Sequence, residues 1–133
     1  MKDTACSARR ENLKRLLKPR HIAFVGGRAV EDCINATRKS DFTGQIWAVH
    51  PKYTELAGVA CVPSLAGLPE PPDAALIAVS RERTIDTVAE LSSMGAGGAV
   101  SIVGEFSETG ADGAALQARL AEAAGDLALV GPN

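Results

Sequence analysis

Apolar residues gather in five short runs: IAFV from Ile22, IWAV from Ile46, AALIAV from Ala74, AVSIV from Ala99 and LALV from Leu127. Each is nearly continuous rather than alternating, the mark of a strand covered on both faces, as in a parallel sheet. Their starts lie roughly 24 to 28 residues apart, one strand plus one crossover helix. The intervals carry helical spacing. Val30, Cys33, Ile34 and Thr37 fall on one helix face, as do Ile85, Val88, Ala89 and Ser92 before MGAGG ends that segment. Ala115, Leu116, Leu120, Ala123 and Ala124 form a third stripe, with Thr109 or Asp112 as N-cap and Gly125 as the stop. The second interval is broken by prolines and glycines. It predicts loop, a short extended piece at VACV and one helical turn after Ser64. Leu13, Leu16 and Leu17 predict a lead-in helix within residues 1–19, ended by Pro19.

Alternating strands and helices joined by right-handed crossovers give an α/β fold. The expectation is a three-layer, doubly wound parallel sheet of Rossmann-like type with strand order 3-2-1-4-5. Ligands of such sheets sit outside the carboxyl ends of the strands, where the order reverses. Those ends are Gly26-Gly27-Arg28, His50-Pro51-Lys52, Ser80-Arg81, Gly104-Glu105 and Gly131-Pro132-Asn133.

The first end has the shape of a phosphate cradle. Gly26 and Gly27 let the chain bend and an anion approach. A helix starting near Ala29 would offer free N–H groups, and Arg28 a planar charged fork. Two glycines after a strand also make any ordinary turn, and G-x-G-x-x-G is not present. The second end discriminates further. A site for NAD needs an acid roughly 20 residues past the glycines. His50 and Lys52 stand there instead, which favours a ligand with an extra phosphate on its ribose, such as NADP or coenzyme A. Pro51 stiffens the turn. His50 reads as a structural or lining residue, and His21, at the opposite end of the first strand, as structural.

Composition narrows the classes. The 133 residues suit a single domain, 46% hydrophobic and 23% charged, with net charge −2. That balance argues against a general nucleic-acid binder. Cys6, Cys33 and Cys61 form no CxxC pair, an odd count that suits a reducing compartment. No apolar run approaches the ~20 residues of a membrane helix. The expected location is the cytoplasm, with no metal, nucleic acid or membrane partner; a homo-oligomer is left open.

Several stretches together carry a family resemblance: IAFVGG after LLKPRH, GQIWAVHPKYTELAGVACVPSLAGLPEPPDAALIAVS, GAGGAV, FSETGADGAAL and LVGPN. In this order the chain resembles the N-terminal coenzyme A-binding domain of the NDP-forming acyl-CoA synthetases, related to the α subunit of succinyl-CoA synthetase. The resemblance implies that the coenzyme A phosphates lie against Gly26, Gly27, Arg28 and Ala29. Lys52 would meet a phosphate of the 3′-phospho-ADP part, with Pro51 shaping the turn. Val79, Ser80 and Arg81 would line the path of the pantetheine arm, and Val103 and Gly104 its distal end. The parent would make acyl-CoA from a carboxylate, coenzyme A and ATP, through an acyl phosphate and a phosphohistidine in a later domain. A separate ATP-grasp module would bind the nucleotide. Neither module fits in residues 1–133, so the chain reads as a non-catalytic fragment of a longer ligase.

Two departures stand out. The glycine loop is short and places Glu31 and Asp32 in the first helical turn, where acids compete with an anion. Glu105 stands where glycine is usual. These leave two other readings open: an NADP-binding or redox-sensing Rossmann module, and an interaction domain whose pocket has decayed.

Overall fold

The computed structural model describes residues 2–102 and 111–130, and the side chains of 7–102 and 114–130. Helix α1 (Lys2–Leu17) leads into strand β1 (His21–Gly26). A 3-10 turn at Arg28–Val30 and helix α2 (Glu31–Lys39) return the chain to β2 (Gln45–Val49). The short strands β3 (Glu55–Leu56) and β4 (Val59–Val62) follow, then a 3-10 turn at Leu65–Gly67 and β5 (Ala74–Ala78). Helix α3 (Arg81–Met94), β6 (Gly98–Ser101), α4 (Ala111–Ala124) and β7 (Ala128–Val130) complete the order.

One sheet results, in the order β3-β4-β2-β1-β5-β6-β7. Every neighbouring pair is parallel except β3 with β4. The five apolar runs form β1, β2, β5, β6 and β7. The extended VACV piece becomes β4, pairing Ala48 with Cys61 and Val49 with Val62. It takes third place among the parallel strands, so these lie as 3-2-1-4-5-6, the expected order extended by one strand.

Alternate residues of β1 serve opposite layers, as the two-residue period of a strand requires. Phe24 packs with Val30, Ile34, Ala48 and Leu56 on the α2 side. Ala23 and Val25 pack with Ala75, Ile77, Ile85, Val88, Leu91 and Leu120 on the other. The buried stripe of α3 is Thr84, Ile85, Val88 and Leu91. The expected face, with Ala89 and Ser92, is therefore rotated: Ala89 is exposed and Ser92 half-buried. Burying Leu91 removes far more apolar surface than burying Ala89. Thr84 tolerates burial because its hydroxyl donates to the Ser80 carbonyl at 2.8 Å. Helix α4 starts at Ala111, so Asp112 lies inside it rather than at its cap, and Thr109 falls outside the described residues. Met94 ends α3, and Gly95 closes it at φ +87°.

A buried carboxylate ties α1 to the amino edge of the sheet. Asp73 is 2% exposed. Its Oδ1 accepts from Arg15 Nε at 2.7 Å, and its Oδ2 from the backbone N and Nε of Arg20 at 3.0 and 2.9 Å. Burial pushes this carboxyl up, but the hydrogen bonds from Arg20 and Arg15 outweigh that and hold it well below the usual carboxylate range. His21 belongs to the same edge. Its Nδ1 accepts from Asp73 N at 3.0 Å and its ring stacks on Trp47 at 4.5 Å. Its role is structural, as its position in the sequence implied. Cys33 and Cys61 are half-buried free thiols. Burial, then the charge of Glu55, pushes the Cys61 thiol up, away from the reactive thiolate.

Candidate functional site

The strand order reverses between β1 and β5, and the turn after β1 is built around one forced glycine. Gly26 pairs with Ala78 and has φ +149°; a Cβ there would lie 2.7 Å from the Ala78 carbonyl oxygen. Only glycine fits such a backbone. Gly27 then enters the 3-10 turn, which closes through Val30 N to Gly27 O at 3.1 Å. Helix α2 proper begins at Glu31, slightly later than expected, and with the Val30 N–H spent on Gly27, Arg28 and Ala29 present the first free N–H groups. Arg28 and Ala29 are exposed there.

Glu31 does not point its charge at that turn. Its Oε2 accepts from Ala57 N at 2.9 Å, and Arg38, further along α2, donates to the Ala57 carbonyl. Both thus brace the two-residue hairpin turn Ala57-Gly58 between β3 and β4, where both residues have positive φ. Asp32 is exposed. The expected competition between Glu31 and an anion is thereby relieved.

The second turn folds back on the first. His50 Nδ1 accepts from the backbone N of Lys52 at 3.0 Å and of Tyr53 at 3.1 Å, which holds Pro51 and Lys52 in a tight bend. The rings of His50 and Tyr53 meet at 4.5 Å, tilted by 55°. A Cβ on Gly27 would lie 3.3 Å from Tyr53 Cε2 and 3.6 Å from His50 Nε2. Arg28 completes the group, with its guanidinium carbon 6.0 Å from the centre of the Tyr53 ring. Lys52 is exposed, and its amine has no partner among the described residues.

An open cleft of about 220 Å³ runs from these turns along the α3 side of the sheet. Gly26, Gly27, Pro51 and Val79 line it together with His50, Ser64 and Leu65. The chain between β4 and β5 contributes only a short 3-10 turn, which leaves room beside α3. Ser80 is not among the residues that line the cleft; it is the N-cap of α3, its Oγ accepting from Arg83 N at 3.3 Å. Arg81, one residue on, borders a neighbouring groove with Glu82, Leu116 and Arg119. Val103, Gly104 and Glu105 lie outside the described residues.

The far wall of the cleft consists of Arg83, Asp86, Thr87 and Glu90, which the sequence reading did not single out. A signal was available. These four polar residues stand at i, i+3, i+4 and i+7, the stripe of one helix face, beside the apolar stripe of the same helix. Among the described residues no group of three or more His, Cys, Asp or Glu could hold a metal ion. No helix among them is long and apolar enough to cross a membrane. The donors at the mouth of the cleft suit an anionic ligand; the acids deeper on α3 disfavour a second anion there.

Comparison with known proteins finds several relatives. A trans-feruloyl-CoA synthase from an unknown prokaryote is 35% identical over 130 residues, covering 92% of this chain and 18% of that protein. Acetate–CoA ligase [ADP-forming] I of Archaeoglobus fulgidus is 36% identical over 126 residues, covering 91% and 18% respectively. Among solved structures, the dinucleotide forming acetyl-coenzyme A synthetase 1 of Ca. Korarchaeum cryptofilum superposes with a TM-score of 0.80 at 27% identity. That match covers 91% of this chain and 28% of the other. The chain thus spans about a fifth of the length of the curated relatives it matches. The family model described as "CoA binding domain" matches residues 20–133, and the chain belongs to that family.

Proposed function

We propose that this domain holds coenzyme A for a longer NDP-forming acyl-CoA synthetase, which joins a carboxylate to the coenzyme at the expense of ATP. The observation that carries the reading is the cleft at the strand-order reversal, with the forced glycine turn at its mouth and two cationic side chains, Arg28 and Lys52, on the turns beside it. The family match and the synthetase relatives support the same ligand. In this reading the diphosphate lies against Gly26, Gly27, Arg28 and Ala29. Lys52, held outward by the Pro51 bend, meets the 3′-phosphate. Val79, Ser80 and Arg81 flank the pantetheine arm, and Val103 and Gly104 its thiol end. The phosphohistidine and ATP-grasp chemistry belongs to other modules of the parent, and its setting is the cytoplasm.

Calorimetric titration of the chain with coenzyme A, dephospho-coenzyme A, NAD and NADP tests the reading. Coenzyme A should bind best and dephospho-coenzyme A less well. Tighter binding of NADP would replace the proposal with a redox module, and silence with all four would leave an interaction domain.

A further inference from the structure

The sequence marks His50 as a structural or lining residue; its hydrogen bonds assign it more. An imidazole has two nitrogens, and Nδ1 is already committed as an acceptor to two backbone N–H groups, those of Lys52 and Tyr53. A nitrogen that accepts carries no proton, so the proton of the neutral ring sits on Nε2. The tilted contact with Tyr53 fixes the ring plane. Nε2 has no hydrogen-bond partner among the described residues. It faces the glycine turn, 3.6 Å from where a Gly27 Cβ would be, and His50 lines the cleft there.

A fixed donor without a partner, aimed at an anion cradle, calls for an acceptor. We propose that His50 is a binding residue that donates its Nε2–H to a diphosphate oxygen of the ligand at the glycine turn. This rests on the coenzyme A reading above and adds a residue to it. The Pro51–Tyr53 backbone sets the tautomer, and the tautomer sets the donor. The bend that carries Lys52 to the 3′-phosphate therefore also orients a neutral donor toward the diphosphate, so one turn addresses two phosphate groups.

Two substitutions separate the two nitrogens. In His50→Asn the amide oxygen takes the place of Nδ1 and can still cap the turn, but the Nε2 donor is gone. In His50→Gln the amide nitrogen takes the place of Nε2, so the donor stays while the cap weakens. Calorimetry on the full chain should show His50→Asn binding coenzyme A and dephospho-coenzyme A each about tenfold more weakly, the scale of one lost hydrogen bond to a charged group. His50→Gln should stay within about threefold of the unmodified protein, yet melt at a lower temperature. Ring ¹⁵N NMR of the free protein should report a proton on Nε2, with a shift of that nitrogen on adding coenzyme A. Full affinity in a folded His50→Asn protein, or a ring protonated on Nδ1 alone, would overturn this inference and leave the coenzyme A reading standing. No binding of coenzyme A by the unmodified chain would overturn both. Should His50→Asn fail to fold, the ring spectrum and the Gln variant decide.

Discussion

Gly26 lies so close to Ala78 across the β1–β5 ladder that a side chain at 26 would meet the Ala78 carbonyl oxygen at 2.7 Å. The obstacle is backbone at the carboxyl end of the two central strands, and it cannot step aside. Gly26→Ala should cost about 3 kcal/mol, combining positive-φ strain with overpacking. Gly27→Ala meets only the Tyr53 and His50 side chains, at 3.3 and 3.6 Å, and should cost less than about 1 kcal/mol. Urea denaturation of the two variants gives the comparison. Equal losses would mean that the turn is not strained at Gly26.

Lys52 should contribute through the ligand's 3′-phosphate alone. Lys52→Ala is expected to bind coenzyme A and dephospho-coenzyme A equally, with the fold's stability unchanged, since the amine is exposed and unpaired among the described residues. The measurement is the ratio of the two dissociation constants at one fixed ionic strength, because phosphate contacts are screened by salt. A ratio that survives the substitution would remove Lys52 from the site.

Asp73 predicts an acid limit to stability. Its pKa is depressed in the folded state, so its contribution is present above the ordinary value of 3.8 and is lost as pH falls from there toward the lower folded value. Asp73→Asn should lower stability by about 2 kcal/mol at neutral pH, less than for a fully buried pair because Arg15 is partly and Arg20 largely exposed. The variant should also lose less further stability than the unmodified protein between about pH 4 and pH 2.5. Thermal melts across that range check the sign; parallel pH profiles would contradict it.

Ala57 occupies a left-handed position, φ +50°, in the hairpin turn braced by Glu31 and Arg38. Ala57→Gly should relieve that strain and raise stability by about 0.5 to 1 kcal/mol. Glu31→Ala should lower it by about 1 kcal/mol, by leaving the Ala57 N–H without its carboxylate. Denaturant midpoints at neutral pH test both.

Much of the architecture was legible in local pattern. Continuous apolar runs such as IAFV and AALIAV declare strands covered on both faces, because no alternation is needed when neither face meets water. The glycine pair after the first run declares a sharp turn, and the VACV piece with Ser64 after it foretold β4 and the short 3-10 turn. The α3 stripe was misread by a rotation, since Ala89 and Leu91 both count as apolar and only packing depth separates them.

The sequence alone, then, determined the order of elements, the doubly wound class and the strand ends from which a site can be made, because these follow from short-range periodicity and turn chemistry. Tertiary structure decided what no local pattern contains. It turned Glu31 onto a hairpin 26 residues away, set Asp73 between Arg15 and Arg20, and closed the His50 bend against Gly27. The physical reason is common to all three. A polar side chain binds whichever partner the folded backbone brings within about 3 Å, and that partner lies far along the chain or on the next turn of the sheet edge.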